Sequence, residues 1–234
     1  MKFIYALKQR ARQGYMPVIA DLKCRSPKEG NLMGGRDPVA VAKALVSAGA
    51  PALSVVTEPQ QFGGSLDMLS RIVEESGAPV LRKDFIKTKE AVKESVQAGA
   101  SALLLIAAIL DKKLLFELYS EAKSHGIAAL VEAHSMAELE MVNALHAEFV
   151  GINNRDITLF ETDSGSVDTT AKRISSIKGN PFIVSESAIF TAQDVQTARD
   201  TGANAVLVGT ALLQAADIAA KYRELSISST RIAP

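Results

Sequence analysis

The chain has 234 residues, 47% apolar and 22% charged, enough to bury one full core, and no linker divides it. Twenty-six Lys and Arg balance twenty-six Asp and Glu, which removes any overall electrostatic pull towards nucleic acid or a membrane surface and leaves anion binding to local positive charge. The longest apolar run, 102–110, is far short of the roughly 20 residues of a bilayer span, no signal-peptide core opens the chain, and the lone Cys24 has no disulfide partner, all of which imply a cytoplasmic protein.

In chain order, the opening MKFIYALKQRARQGY reads as a short N-terminal helical extension with a solvated basic face. Short apolar runs then recur at 17–23, 52–56, 79–84, 102–107, 129–134, 149–154, 182–187 and 205–209. Each is bounded by helix or turn signals, so all eight are predicted strands. Between them, Asp37-Pro38 fits an N-cap followed by proline at the first helical position, and 135–138 and 191–194 resemble capping boxes. The segments SAGAPALSV, QAGASALLL and DTGANAVLV each set a glycine (Gly49, Gly99, Gly202) at a helix end before a strand, at multiples of about 25 residues. Eight such units predict a (β/α)8 TIM barrel, an α/β fold in a single domain: 1–16 a short cap, 17–213 the barrel strands and connecting helices, 214–234 the last helix and tail. An open doubly wound sheet is the alternative, but no G-x-G-x-x-G follows the first strand.

Several runs end on polar residues that an apolar core would not choose. Alternation along a strand puts Asp21 and Lys23 on one face, pointing into the barrel near its mouth. Lys83, Glu132 and Asn153 end or near the end of three further strands and converge on the same cavity. A lysine and a glutamate in a partly dry pocket make an acid and base pair, since burial and neighbours move their pKa values towards neutrality; the plain alternative is a buried ion pair. Ser187-Ala188 and Gly209-Thr210 lie just before predicted helices, where backbone N–H groups and the positive end of a helix dipole would cradle a phosphate.

The motifs IADLKCRSP, FGGS, LRKDF, LLIAAIL, LVEAH, GINNRD, SES and LVGT, in this order from about residue 18 to 213, resemble the indole-3-glycerol phosphate synthase family of tryptophan biosynthesis. The resemblance implies a carboxy-lyase that closes the indole ring of 1-(2-carboxyphenylamino)-1-deoxyribulose 5-phosphate with loss of carbon dioxide and water, using no metal or organic cofactor. It makes Lys83 the general acid and Glu132 the general base, with Lys23 holding the substrate carboxylate and Asp21 and Asn153 completing the catalytic set. Ser26, Phe85, Arg155 and Glu186 fall to substrate binding, and Ser187, Ala188, Gly209 and Thr210 to the phosphate. The implied partner is an anionic aryl-amino sugar phosphate, with neither nucleic acid nor membrane, in a monomer or weak homo-oligomer. Three positions depart from the family pattern: Asp21 replaces glutamate, Lys28 a serine, and Ala188 a glycine. Two other readings fit these departures: a paralogue acting on a different aminosugar or ketose phosphate, and an inert phosphate-ligand binding protein.

Overall fold

The computed structural model describes residues 2–155 and 167–228. After helix α1 (Lys2–Arg12) and strand β1 (Val18–Leu22) comes a small antiparallel hairpin, β2 (Arg25–Ser26) with β3 (Gly30–Asn31). Strands β4 (Leu53–Val56), β5 (Val80–Lys83), β6 (Ala102–Ile106), β7 (Ala128–Ala133), β8 (Phe149–Asn153), β9 (Phe182–Glu186) and β10 (Ala205–Val208) follow, each parallel to the last. β10 pairs with β1, closing an eight-stranded barrel. All eight strands lie within one residue of their predicted bounds.

Helices α2 (Pro38–Ser47), α3 (Leu66–Ser76), α4 (Lys89–Gln97), α5 (Lys112–Ser124), α6 (Met136–Leu145), α7 (Asp168–Ile174) and α8 (Ala192–Asp200) connect successive strands, and α9 (Thr210–Leu213) and α10 (Ile218–Leu225) follow β10. Their starts follow from the side chains there. Asp37 accepts from the Ala40 N–H with Pro38 behind it, and Thr191 and Asp194 form a reciprocal capping box. The box expected over 135–138 is displaced by one residue. Ser135 does accept from the Glu138 N–H, but the Glu138 carboxylate reaches back to the N–H and Nδ1 of His134, each at 2.9 Å, rather than to the Ser135 N–H. The repeated glycines Gly49, Gly99 and Gly202 have φ of 108°, 83° and 102°, the left-handed turn that leads a helix end into a strand without a side-chain clash.

Strand side chains alternate between two environments. Val18, Ala20, Leu22, Val55, Val80 and Val206 pack outwards against the helices, as do Leu103, Leu105, Val131 and Val150 on the opposite side. Ile19, Leu81, Leu104, Leu130, Val184 and Leu207 fill the barrel, where Phe3 and Leu7 of α1 join them. The Phe3 ring lies 5.9 Å from that of Phe149, the first residue of β8, so α1 closes the N-terminal end of the barrel. One layer further up, the inward positions become Asp21, Lys83, Glu132, Asn153 and Glu186. This change of chemistry marks the C-terminal mouth as the place for function.

Candidate active site

Two clefts open at that mouth. One, of about 480 Å³, has apolar walls from Val56, Phe62, Phe85, Leu104 and Ile106 and polar groups from Lys83, Asn153, Arg155 and Ser187. The other, of about 400 Å³, is lined by Asp21, Lys23, Ser187, Ala188, Gly209 and Thr210. Lys83, Arg155 and Ser187 belong to both, so the clefts meet at the ammonium that ends β5. Ten of the predicted site residues therefore line one continuous opening.

Glu132 and Glu186 share the inward layer of Lys83 and Asn153 but line neither cleft, each being only 1% exposed. Burial raises the pKa of Glu132, while Lys83 and the Asn153 amide pull it back by favouring the anion. Glu186 is raised well above the usual carboxylate range, chiefly by burial and then by the neighbouring Glu132, with Lys83 opposing and Asp21 adding to the shift. These couplings put Lys83 in the same electrostatic neighbourhood as both carboxyl groups. Asp21 itself accepts a 2.6 Å hydrogen bond from Ser54 across the β1–β4 ladder. The Arg155 guanidinium lies 5.9 Å over the Phe190 ring, with a buried Nε that meets no acceptor among the described residues.

The anion cradle differs in detail from expectation. Helix α8 starts at Ala192, so Ser187-Ala188 is not a helix start. It is a left-handed turn, with φ of 67° at Ser187 and 54° at Ala188, and the two peptide N–H groups meet no acceptor among the described residues. Gly209 does precede a helix, the single turn of α9. A Cβ on Gly209 would stand 3.1 Å from the Asp21 backbone oxygen, a tight approach that a side chain could make only if β1 shifted slightly. Ser26, like Glu132 and Glu186, lines neither cleft. It is buried in the β2–β3 hairpin, where its hydroxyl accepts from the Glu29 N–H.

Sequence reading passed over the residues that hold this surface in shape. Asn154 donates to the Ser187 carbonyl at 3.0 Å and to Ser185 Oγ, and accepts from the N–H and hydroxyl of Thr170, which braces the left-handed turn from behind. Asp84 accepts from Thr57, Arg82 and its neighbour's Phe85 N–H, fixing the strand end that carries Lys83. Glu58 accepts from the N–H groups of Gln60, Gln61 and Phe62 and so shapes the loop that presents the Phe62 ring. Asp84 and Asn154 lie inside the motifs LRKDF and GINNRD, but nothing in the sequence marks them as braces rather than as site residues. Among the described residues no group of three or more His, Cys, Asp or Glu is placed to hold a metal ion.

A closed parallel barrel with buried carboxyl groups, a lysine and a backbone cradle at its C-terminal mouth defines a class: (β/α)8 proteins built to hold and transform an anionic small molecule. Solved structures agree on the fold: a 3-hexulose-6-phosphate synthase from Salmonella typhimurium superposes with a TM-score of 0.72 at 17% identity, covering 90% of this chain and 96% of its own. The family model for indole-3-glycerol phosphate synthase matches residues 1–225. Proteins of that name are 42% identical in Pyrococcus abyssi (92% of this chain, 93% of the relative) and 41% identical in Pyrococcus furiosus (96% and 99%). One from Geobacillus sp. is 42% identical over 94% of this chain and 84% of its own. The chain belongs to the indole-3-glycerol phosphate synthase family.

Proposed function

We propose that this protein closes the indole ring of 1-(2-carboxyphenylamino)-1-deoxyribulose 5-phosphate to give indole-3-glycerol phosphate, carbon dioxide and water. The observation that carries the reading is the junction of the two clefts at Lys83. The substrate has a flat aryl group at one end, a phosphate at the other and a ketone between them. The apolar walls around Phe62 and Phe85 suit the ring, the turn at Ser187-Ala188 with Gly209-Thr210 suits the phosphate, and the ketone then falls beside Lys83.

The residue types match the charge that develops. Carbon–carbon bond formation at the ketone builds negative charge on its oxygen, and the Lys83 ammonium delivers a proton there and later to the departing hydroxyl. Glu132, whose pKa burial raises towards that of a working base while Lys83 and Asn153 favour its anion, takes the ring proton. Lys23 and Arg155 hold the carboxylate that leaves as carbon dioxide, and the unmet Arg155 Nε supports this role. No described helix is long and apolar enough to cross a membrane, and we take the protein to act in the cytoplasm on a free small molecule. The test is to add the carboxyphenylamino deoxyribulose phosphate and follow indole fluorescence. A rising signal proportional to protein is expected; none at high protein concentration would favour a paralogue with another aminosugar or ketose phosphate as substrate.

A further inference from the structure

Register and space bring the Glu132 and Glu186 carboxyl groups together. Glu132 on β7 is level with Gly151 on β8, and Asn153 on β8 with Glu186 on β9. Gly151 has no side chain, and Glu186 leans into the gap: a Cβ built at 151 would stand 1.9 Å from Glu186 Oε1. Glu186 Oε1 thus occupies the space level with Glu132. Yet as two carboxylates Glu132 and Glu186 hold only acceptors, which leaves Glu132 Oε2 and both oxygens of Glu186 buried without a donor among the described residues. Unpaired buried charge of this kind is costly, and one proton removes most of the problem by allowing an O–H···O hydrogen bond between them.

We propose that Glu132 and Glu186 share a single proton before the reaction, Glu186 donating to Glu132, which makes Glu186 a positioning residue that keeps Glu132 anionic and aimed towards Lys83. Burial and the two nearby anions, Glu132 and Asp21, favour the neutral form of Glu186, with Lys83 opposing. At Glu132 burial raises the pKa less far, because Lys83, Asn153 and His134 favour the anion, with Glu138 opposing them. This inference rests on the role given to Glu132 above. When Glu132 takes the ring proton the pair holds two protons and no charge; loss of one to solvent after product leaves restores it.

The test is isotope-edited infrared spectroscopy of ligand-free protein labelled with 13C-glutamate at neutral pH, together with turnover of three variants. A carboxylic-acid carbonyl band is expected in the wild type and absent from Glu186→Gln. Glu186→Gln, whose amide still donates to Glu132, should keep kcat within about tenfold, while Glu186→Ala and Gly151→Ala lose about a hundredfold. A wild type without the band, or a folded Glu186→Gln as impaired as Glu186→Ala, would overturn the proposal. The band with no turnover by the wild type would support the shared proton and overturn the assigned reaction, so the two failures are distinct.

Discussion

Glu186 and Ala188 lie two residues apart and carry opposite lessons about the cost of a site. The raised pKa of Glu186 means that the folded protein binds a proton that the unfolded chain releases. That contribution to stability is complete below the ordinary carboxylate value of 4.5 and is lost as pH rises through the folded value. Glu186→Gln removes the titration, so its melting temperature relative to that of the wild type should rise as pH is raised above 4.5. Calorimetry above that pH would show it, and a pH-independent difference would count against the buried proton. At Ala188 the strain is in the backbone: φ of 54° suits glycine. Relief of about 1–2 kcal/mol, less the entropy glycine loses on folding, gives Ala188→Gly roughly 0.5–1 kcal/mol of added stability by denaturant unfolding. If the variant is less stable, the turn depends on the alanine methyl in a way that its geometry does not explain.

At the scale of elements, what was legible was what repeats. Each strand carries an apolar run with a turn signal at both ends, and eight repetitions leave little freedom for another architecture. Lys83 and Glu132 were legible because a charged residue at the end of an inward-facing strand has few places to go. Ser26 was not, because its orientation depends on the β2–β3 hairpin, whose two-residue strands have no periodicity to read. Likewise Glu138 was free to choose between the Ser135 N–H and the groups of His134, and only the folded loop decides. Gly151 carries no signal of its own inside the predicted strand 149–154, although it vacates space for a side chain on the next strand. Helix α1 provides an element-scale prediction. Phe3 is fully buried against the barrel floor, so Phe3→Ala should cost about 3 kcal/mol in unfolding experiments. With the mouth intact, kcat measured at a temperature where the variant is folded should be unchanged; a large fall would mean that α1 also shapes the site.

The whole molecule divides its labour along the barrel axis. The lower interior is apolar and closed by α1, and supplies rigidity; the upper layer concentrates ionisable groups that would be destabilising if scattered. A protein with no net charge thereby recognises an anion, because Lys23, Lys83 and Arg155 gather where the strands end. The central claim is that Lys83 performs chemistry at the junction of an aryl cleft and an anion cradle, while other groups supply most of the binding. It is tested most directly by measuring kcat and the substrate dissociation constant of Lys83→Met side by side. The account predicts a fall of about a thousandfold in kcat with affinity held within about tenfold; a variant that still turns over, or that loses affinity as steeply as rate, would contradict it.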